Sequence, residues 1–346
     1  MKKIIFHIDA DAFFASCEEI LNIELKNVPF AVAGERKKAI ISSCNYIARK
    51  YGVKAAMNTS EAKLLCPNIV FVNPHHNFYS KISNLFFESL IYNYTNEVEI
   101  YSIDECFVDV TKILDKFHNN PILLAIDIQK FLLNKIGLSV SIGISTNKFL
   151  AKMATDFNKP KGISTLWVHE IPEKLDPLNI REIIGIGKST IPKLEKQGIN
   201  TIKDMKKSEN QDFLKDIFIN QYQSIISKIN GMSDDMVDTR TQFPKSIGKS
   251  LTLSYSETEL ETILKIFQDV SIQLEEELGH YKMFSRNLTV MIKYSDFSTK
   301  TKSKTISTKI IHHNQIFELA RDLFFEIWNE SEVRLIGISL AKLDFI

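Results

Sequence analysis

Apolar and polar positions along the chain follow two periods, and the switches between them mark its elements. Ile4 to Ile8 is an apolar run that predicts a strand, and Ala15 to Leu25 has helical spacing. Ala39 to Ser43 predicts a short strand, "NYIARKYG" a helix ended by Gly52, and Phe78 to Tyr94 an apolar-rich helix. In "EVEIYSIDECFVDV" two β-rich runs, Val98 to Ile103 and Cys106 to Val110, surround a Ser-Ile-Asp-Glu centre. Leu123 to Ile136 predicts a helix, and "LSVSIGIST" a strand whose glycine permits close backbone packing. "NKFLAKMATDF" predicts a helix stopped by Lys159-Pro160-Lys161-Gly162.

From Trp167 the texture changes to short helical segments, with Gly185-Ile186-Gly187 between two apolar runs. Residues 231–246, "GMSDDMVDTRTQFPKS", have little periodicity and predict a linker. Beyond it the order is strand (Ile247 to Tyr255), helix (Leu260 to Leu278), strands (Asn287 to Tyr294, Thr305 to Ile311), helix (Gln315 to Trp328) and strand (Leu335 to Leu343). That order is βαββαβ, a unit with its own core. Phe317, Ala320, Phe324 and Ile327 recur at helical spacing and read as core.

A chain that is 44% hydrophobic and 25% charged has the composition of an ordinary globular protein, its 346 residues suffice for several domains, and the elements above give an α+β class. No apolar stretch approaches the roughly 18 residues of a spanning helix. Met1-Lys2-Lys3 and three apolar residues are too short for a signal peptide. Cys17, Cys44, Cys66 and Cys106 show no metal-binding spacing and read as reduced thiols, so a cytoplasmic location is expected. The net charge of +1 hides a polarised C-terminal region. Lys282 to Lys309 holds seven basic residues against Asp296 alone, whereas Glu257 to Glu277 holds seven acids against Lys265. Such segregation can form a phosphate-facing surface.

Asp9 ends the first strand, and Asp104 and Glu105 lie between two later β-runs. Carboxylates at strand ends are held rigidly yet face solvent, which suits hard cations such as Mg²⁺. Acids from separate strands could hold two metals for in-line phosphoryl displacement. Each acid alone could equally cap a helix or turn. The apolar run before "DAD" also resembles haloacid-dehalogenase phosphotransferases, but position 13 is Phe and no Gly-Asp pair occurs anywhere.

Taken in order and spacing, "HIDADAFFASCEE", "SSCNYIARKYGVKAAM", "YSIDECFVDVT", "VSIGISTNKFLAKMATDFNKPKGI" and "IIGIGKSTIPKL" resemble the Y-family translesion DNA polymerases, DNA polymerase IV type. The resemblance implies a right-hand fold: palm from 1–10 and 77–166, fingers 11–76, helix-hairpin-helix thumb 167–230, linker 231–245 and little finger 246–346. It implies template-directed addition of deoxynucleotides to a primer 3′ end, with low fidelity, past damaged bases and without proofreading. It makes Asp9, Asp104 and Glu105 catalytic ligands of two Mg²⁺, with the Ala10 backbone carbonyl a further ligand and Mn²⁺ able to substitute. Asp11 is left as a structural acid.

The same resemblance places Tyr46, Arg49 and Lys159 on the incoming triphosphate, with Ser43 reaching a phosphate and Ser42 near the templating base. A guanidinium fork and an ammonium suit polyanionic oxygens. Phe14 matches the steric gate against the sugar, with Phe13 beside it and facing the core. Gly185, Gly187 and Lys188 would meet a DNA phosphate through backbone N–H groups. Lys249, Arg286, Lys293, Lys300 and Lys302 would follow the duplex backbone, while the acidic helix faces away.

Cys106 and Phe107 stand where the pattern more often has Ala and Tyr, a change of packing; Cys106 is not read as a nucleophile. The chain ends at "SLAKLDFI" with no clear sliding-clamp peptide, which leaves clamp recruitment open. The expected partners are primer–template DNA and a dNTP, for a monomer off the membrane. The competing class is a non-catalytic DNA-binding scaffold of the same fold.

Overall fold

Asparagines start many of the helices, because a short amide side chain can accept from an otherwise unpaired N–H of the first turn. Asn45 accepts from Ala48, Asn58 from Glu61, Asn120 from Ile122 and Leu123, and Asn147 from Leu150. The computed structural model describes residues 3–35, 39–233, 236–240 and 243–346. It divides into two compact units, Met1–Arg240 and Thr241–Ile346, each described by itself. Of the expected linker, residues 234–235 and 241–242 lie outside the described residues.

The first unit begins β1 (Ile5–Ala10), α1 (Phe13–Leu21), β2 (Phe30–Val32), β3 (Ser43–Cys44), α2 (Tyr46–Lys50), α3 (Thr59–Leu65), β4 (Val70–Val72) and α4 (His76–Asn93). It continues β5 (Val98–Ile100), β6 (Glu105–Asp109), α5 (Pro121–Ile136), β7 (Val140–Ser145), α6 (Lys148–Thr155) and β8 (Ile163–Thr165). Four short helices close it: α7 (Ile191–Lys196), α8 (Ile202–Met205), α9 (Gln211–Phe218) and α10 (Tyr222–Ile229). The expected helix Ala15 to Leu25 ends at Leu21, and a separate 3₁₀ turn covers Ile23–Asn27. Asn22 breaks the run by adopting extended backbone and capping that turn through Glu24. The expected strand Ala39 to Ser43 is reduced to one bridge at Ile40 before β3.

Two sheets organise this unit. One has the order β5-β6-β1-β7-β8, so β1 is central, and the other is the small sheet β3-β2-β4. A separate apolar cluster around Leu175, Leu194, Ile202 and Leu214 joins the short helices. Strand β1 runs antiparallel to β6 with His7 opposite Phe107 and Asp9 opposite Glu105. Directly opposed residues share a sheet face, so these four project to the same side.

Helix α6 lies unusually close on that side. A Cβ on Gly143 of β7 would come 2.0 Å from the Ala151 carbonyl oxygen and 2.5 Å from the Thr155 nitrogen. Glycine is therefore required for the helix backbone to approach, and the approach carries Lys152 and Thr155 over the acids. Gly143→Ala is expected to cost about 1–3 kcal/mol by overpacking. The check is a urea denaturation midpoint; an unchanged midpoint would mean that α6 is free to move away.

The second unit contains β9 (Ser246–Glu257), α11 (Leu260–Tyr281), β10 (Met283–Tyr294), β11 (Thr299–Ile310), α12 (His313–Ile327), β12 (Val333–Ala341) and β13 (Asp344–Phe345). The βαββαβ order is as expected, and the sheet order is β11-β10-β12-β9, with β13 added beside β10. Phe267, Leu274, Ala320 and Phe324 of the two helices join Leu288, Val290 and Ile292 in one core. Expected core residues Phe317 and Ile327 are partly buried against it.

Candidate active site

Strand β1 places Asp9 at its open end, and the β6 register brings in Glu105. The Ala10 N–H donates to the Asp104 carbonyl at 2.9 Å, so the backbone itself draws the third acid to the strand end. The three carboxylates thus meet although nearly a third of the chain separates them in sequence.

Each acid already has an internal partner. Lys159 Nζ lies 2.8 Å from Asp9 Oδ2 and 2.9 Å from Asp156 Oδ1. Glu105 Oε2 receives His7 Nε2 at 3.1 Å and the Lys152 ammonium. Ser102 Oγ donates to Asp104 Oδ1 at 2.5 Å. Burial pushes the Asp9 carboxyl up to about 6 against the pull of Lys159. Burial would raise Glu105 too, but the hydrogen bonds from His7 and Lys152 win and hold it at about 2. Burial opposes charge on Lys159, yet Asp9 and Asp156 outweigh it and keep the ammonium above its ordinary range. Burial lowers the His7 imidazole, favouring its neutral form, although Glu105 opposes this.

Asp11 has a different task. It is 1% exposed, with Ser141 Oγ 2.7 Å from Oδ1 and the Lys161 N–H 2.9 Å from Oδ2. It ties the loop that carries Lys159 to the central sheet and does not line the cavity. The reading of Asp11 as structural agrees with these contacts.

A cavity of about 270 Å³ opens beside the acids. Asp9, Ala10, Asp104 and Lys159 form one wall, Phe13 and Phe14 a second, and Ser42, Ser43, Tyr46 and Arg49 a third. Glu105 is not part of this lining. Arg49 sits over the Tyr46 ring at 4.7 Å, and its Nε donates to the Cys44 carbonyl at 3.2 Å. The Tyr46 hydroxyl is buried without a hydrogen-bond partner among the described residues. A buried donor left open is costly unless a ligand supplies the acceptor. Phe14 is stacked on Tyr79 at 4.6 Å with the planes 19° apart, whereas Phe13 is 3% exposed and belongs to the core. Ser43 Oγ donates weakly to the Ala12 carbonyl at 3.4 Å, and Ser42 Oγ to the Val32 carbonyl at 3.0 Å.

The remaining sequence-derived positions are not among the residues that line this cavity. Gly185, Gly187 and Lys188 are exposed around buried Ile186, which anchors their turn in the helical cluster. Gly185 has φ +97°, a backbone region that disfavours side chains. In the second unit, Lys300 and Lys302 of β11 oppose Ile292 and Val290, on the face that the helices cover. Lys302 pairs with Glu326 at 2.8 Å, and Lys300 reaches the Ile327 carbonyl at 3.3 Å. Lys249 pairs with Glu277 of the acidic helix at 2.5 Å. Lys293 projects to the opposite face, and Arg286 lies 3.8 Å from Asp344. The basic positions therefore do not form one stripe on one face.

Sequence reading missed His7, Lys152 and Ser102. His7 carried a signal, since it sits two residues before Asp9 and a strand repeats its face every second residue. Lys152 carried none, because only the approach of α6 brings it to Glu105. Cys106 is fully buried, and burial pushes its thiol well above the usual range, in line with a packing role.

The acids supply hard oxygen donors, Asp9 and Glu105 lie close enough with His7 to hold one ion, and two ammonium groups now balance the carboxylates. The donor set fits a divalent cation. A family profile described as the impB/mucB/samB family matches residues 8–156, and its C-terminal domain matches residues 244–345. DNA polymerase IV of Ureaplasma parvum serovar 3 is 40% identical over 343 residues, covering 99% of this chain and 95% of that protein. DNA polymerase IV 1 of Bacillus subtilis strain 168 is 36% identical over 340 residues, covering 97% and 81%. Among solved structures, a Y-family DNA polymerase chimera of Dbh and Dpo4 has a TM-score of 0.89 at 28% identity, covering 99% of this chain and 100% of that one. An insertion ternary complex of Dbh DNA polymerase has a TM-score of 0.69 at 28% identity with the same coverage. Matches that span both units, together with acids, cations and an aromatic ring around one cavity, lead to one conclusion: the chain belongs to the impB/mucB/samB family, as a Y-family DNA polymerase of the DNA polymerase IV type.

Proposed function

We propose that this chain, a DNA-directed polymerase of translesion synthesis, joins a deoxynucleotide to a primer 3′ end at the cavity bounded by Asp9, Asp104 and Phe14. The observation that carries the site assignment is the cavity itself. It sets two acids, two cations, an open tyrosine hydroxyl and a flat ring around a single volume. Asp9, Asp104, Glu105 and the Ala10 carbonyl would hold two Mg²⁺. When bound, these ions lower the pKa of the primer hydroxyl and balance charge on the departing pyrophosphate.

The protein groups do the rest. Arg49 and Lys159 bind the triphosphate by charge, and the Tyr46 hydroxyl donates to a phosphate oxygen. Lys159 must leave Asp9 to do so, which links nucleotide arrival to release of that carboxylate. Phe14, braced by Tyr79, blocks space at the sugar C2′. Ser42 is exposed and small beside the cavity, leaving room for an altered template base.

The proposed division is palm 1–10 and 77–166, fingers 11–76, thumb 167–230 and little finger 246–346. The small sheet and the βαββαβ unit each enclose a core of their own, whereas the central-sheet core also takes in Phe13, Leu25 and Val32 of the proposed fingers, and the short-helix core takes in Phe149, Leu150 and Leu166 of the proposed palm. Primer–template DNA would run past the exposed turn at Gly185, Gly187 and Lys188. A pure scaffold has no need of this arrangement of acids and lysines. No helix among the described residues is long and apolar enough to cross a membrane.

Primer extension tests the reading directly. With Mg²⁺ and dNTPs the purified chain is expected to lengthen an annealed primer. EDTA should stop it and excess Mg²⁺ restore it. Extension that persists in EDTA would refute the metal-dependent mechanism.

A further inference from the structure

His7 is a buried polar side chain that the nucleotide cavity does not use. It is 1% exposed, with its ring 4.8 Å from that of Phe107. Nδ1 lies 2.9 Å from Thr155 Oγ1, and Nε2 lies 3.1 Å from Glu105 Oε2. The hydrogen positions follow from donor chemistry. An ionised carboxylate only accepts, so the nearer contact puts the ring proton on Nε2, facing Glu105, against the Lys152 ammonium 3.4 Å from the same nitrogen, which would want it as an acceptor. With the proton on Nε2, Nδ1 is an acceptor, and the Thr155 hydroxyl, which also has the Ala151 carbonyl within 3.0 Å, gives its one proton to the nearer Nδ1. A directed chain results, from Thr155 through His7 to Glu105.

We propose that His7 is a positioning residue that keeps the Glu105 carboxylate aimed for a divalent cation; this rests on the reading of Glu105 as a metal ligand. Lys152 and His7 both contact Glu105 Oε2, leaving Oε1 for a cation. The two partners behave differently when a cation arrives. The Lys152 ammonium carries like charge on a flexible stem and withdraws. The imidazole is enclosed by Phe107 and held by Thr155 in the middle of the sheet, and it stays. Once Lys152 has left, His7 alone of the two restrains rotation of the carboxylate. Outer partners of this kind are worth roughly 10–100-fold in metal affinity.

The other tautomer defines the rival. With its proton on Nδ1, His7 could coordinate directly, since its ring nitrogen and the Asp9 and Glu105 oxygens lie within 4.8 Å of one another. A test by electron paramagnetic resonance separates the two. Mn²⁺ binding is titrated on the full chain with primer–template and a non-hydrolysable dNTP analogue. His7→Leu is expected to weaken binding by about 10–100-fold. His7→Gln, whose amide N–H reaches the same place, should recover most of the loss.

Equal losses in His7→Gln and His7→Leu, wild-type binding in His7→Leu, or a nitrogen coupling from imidazole in the wild-type Mn²⁺ spectrum would each overturn the proposal. If His7→Leu does not fold, Thr155→Val carries the test: weakened Mn²⁺ binding supports the chain of donors, and unchanged binding refutes it. Asp104→Asn serves as the control for the underlying reading. If it loses Mn²⁺ while His7→Leu keeps it, only the His7 inference fails. If Asp104→Asn binds like wild type, the metal-site reading fails with it.

Discussion

Asp104→Asn is expected to slow primer extension by about 10³-fold, equivalent to about 4 kcal/mol of transition-state stabilisation. The substitution keeps the shape of the side chain and an oxygen able to accept from Ser102, whose Oγ donates to Asp104 Oδ1 at 2.5 Å. Folding should therefore survive, and the loss should fall on chemistry. A carboxylate that ligates metal contributes a full negative charge where two cations must come together, and an amide oxygen contributes only a dipole. Single-turnover extension across Mg²⁺ concentrations, with a thermal melt beside it, makes the comparison. A rate within tenfold of wild type in a folded variant would remove Asp104 from the metal site.

Phe14→Ala is expected to erode sugar selection by a factor on the order of 10² in relative kcat/KM for ribonucleotides. The ring is not loosely placed. Tyr79 stacks on it at 4.6 Å, His76 meets it edge-on at 5.9 Å, and Phe13 touches it at 5.8 Å. Tyr79 is itself fully buried, its hydroxyl bonded to Glu18, so Phe14 is backed by a fixed surface. Selection by such a wall is a repulsive device, and trimming the ring removes it without removing any attraction for the deoxyribose. Competing rNTP and dNTP incorporation opposite one template base gives the ratio. Unchanged discrimination would transfer the gate to another ring.

The two expectations differ in how much of them sequence could support. Asp9, Asp104 and Glu105 stood out because acids at strand ends are chemically conspicuous and their neighbours read cleanly as strands. Phe14 could be separated from Phe13 only through the family pattern. The structure gives the physical distinction: both rings border the cavity, but Phe13 is buried in the core, whereas Phe14 is half-buried and stacked on Tyr79.

Periodicity, breakers and caps are local properties, and they determined most of the longer elements, the βαββαβ unit and acids at strand ends, while the short β2, α3, β4 and β8 went unread. Tertiary structure decided what surrounds those acids. Gly143 lets α6 settle on the central sheet, and only then do Lys152 and Thr155 stand beside Glu105 and His7. The register of β10 with β11 likewise turned Lys300 and Lys302 towards the helices, a direction that a count of basic residues does not contain. Register and helix approach depend on contacts between segments far apart in the chain, and a local pattern of polar and apolar positions carries no information about which distant segment will meet it.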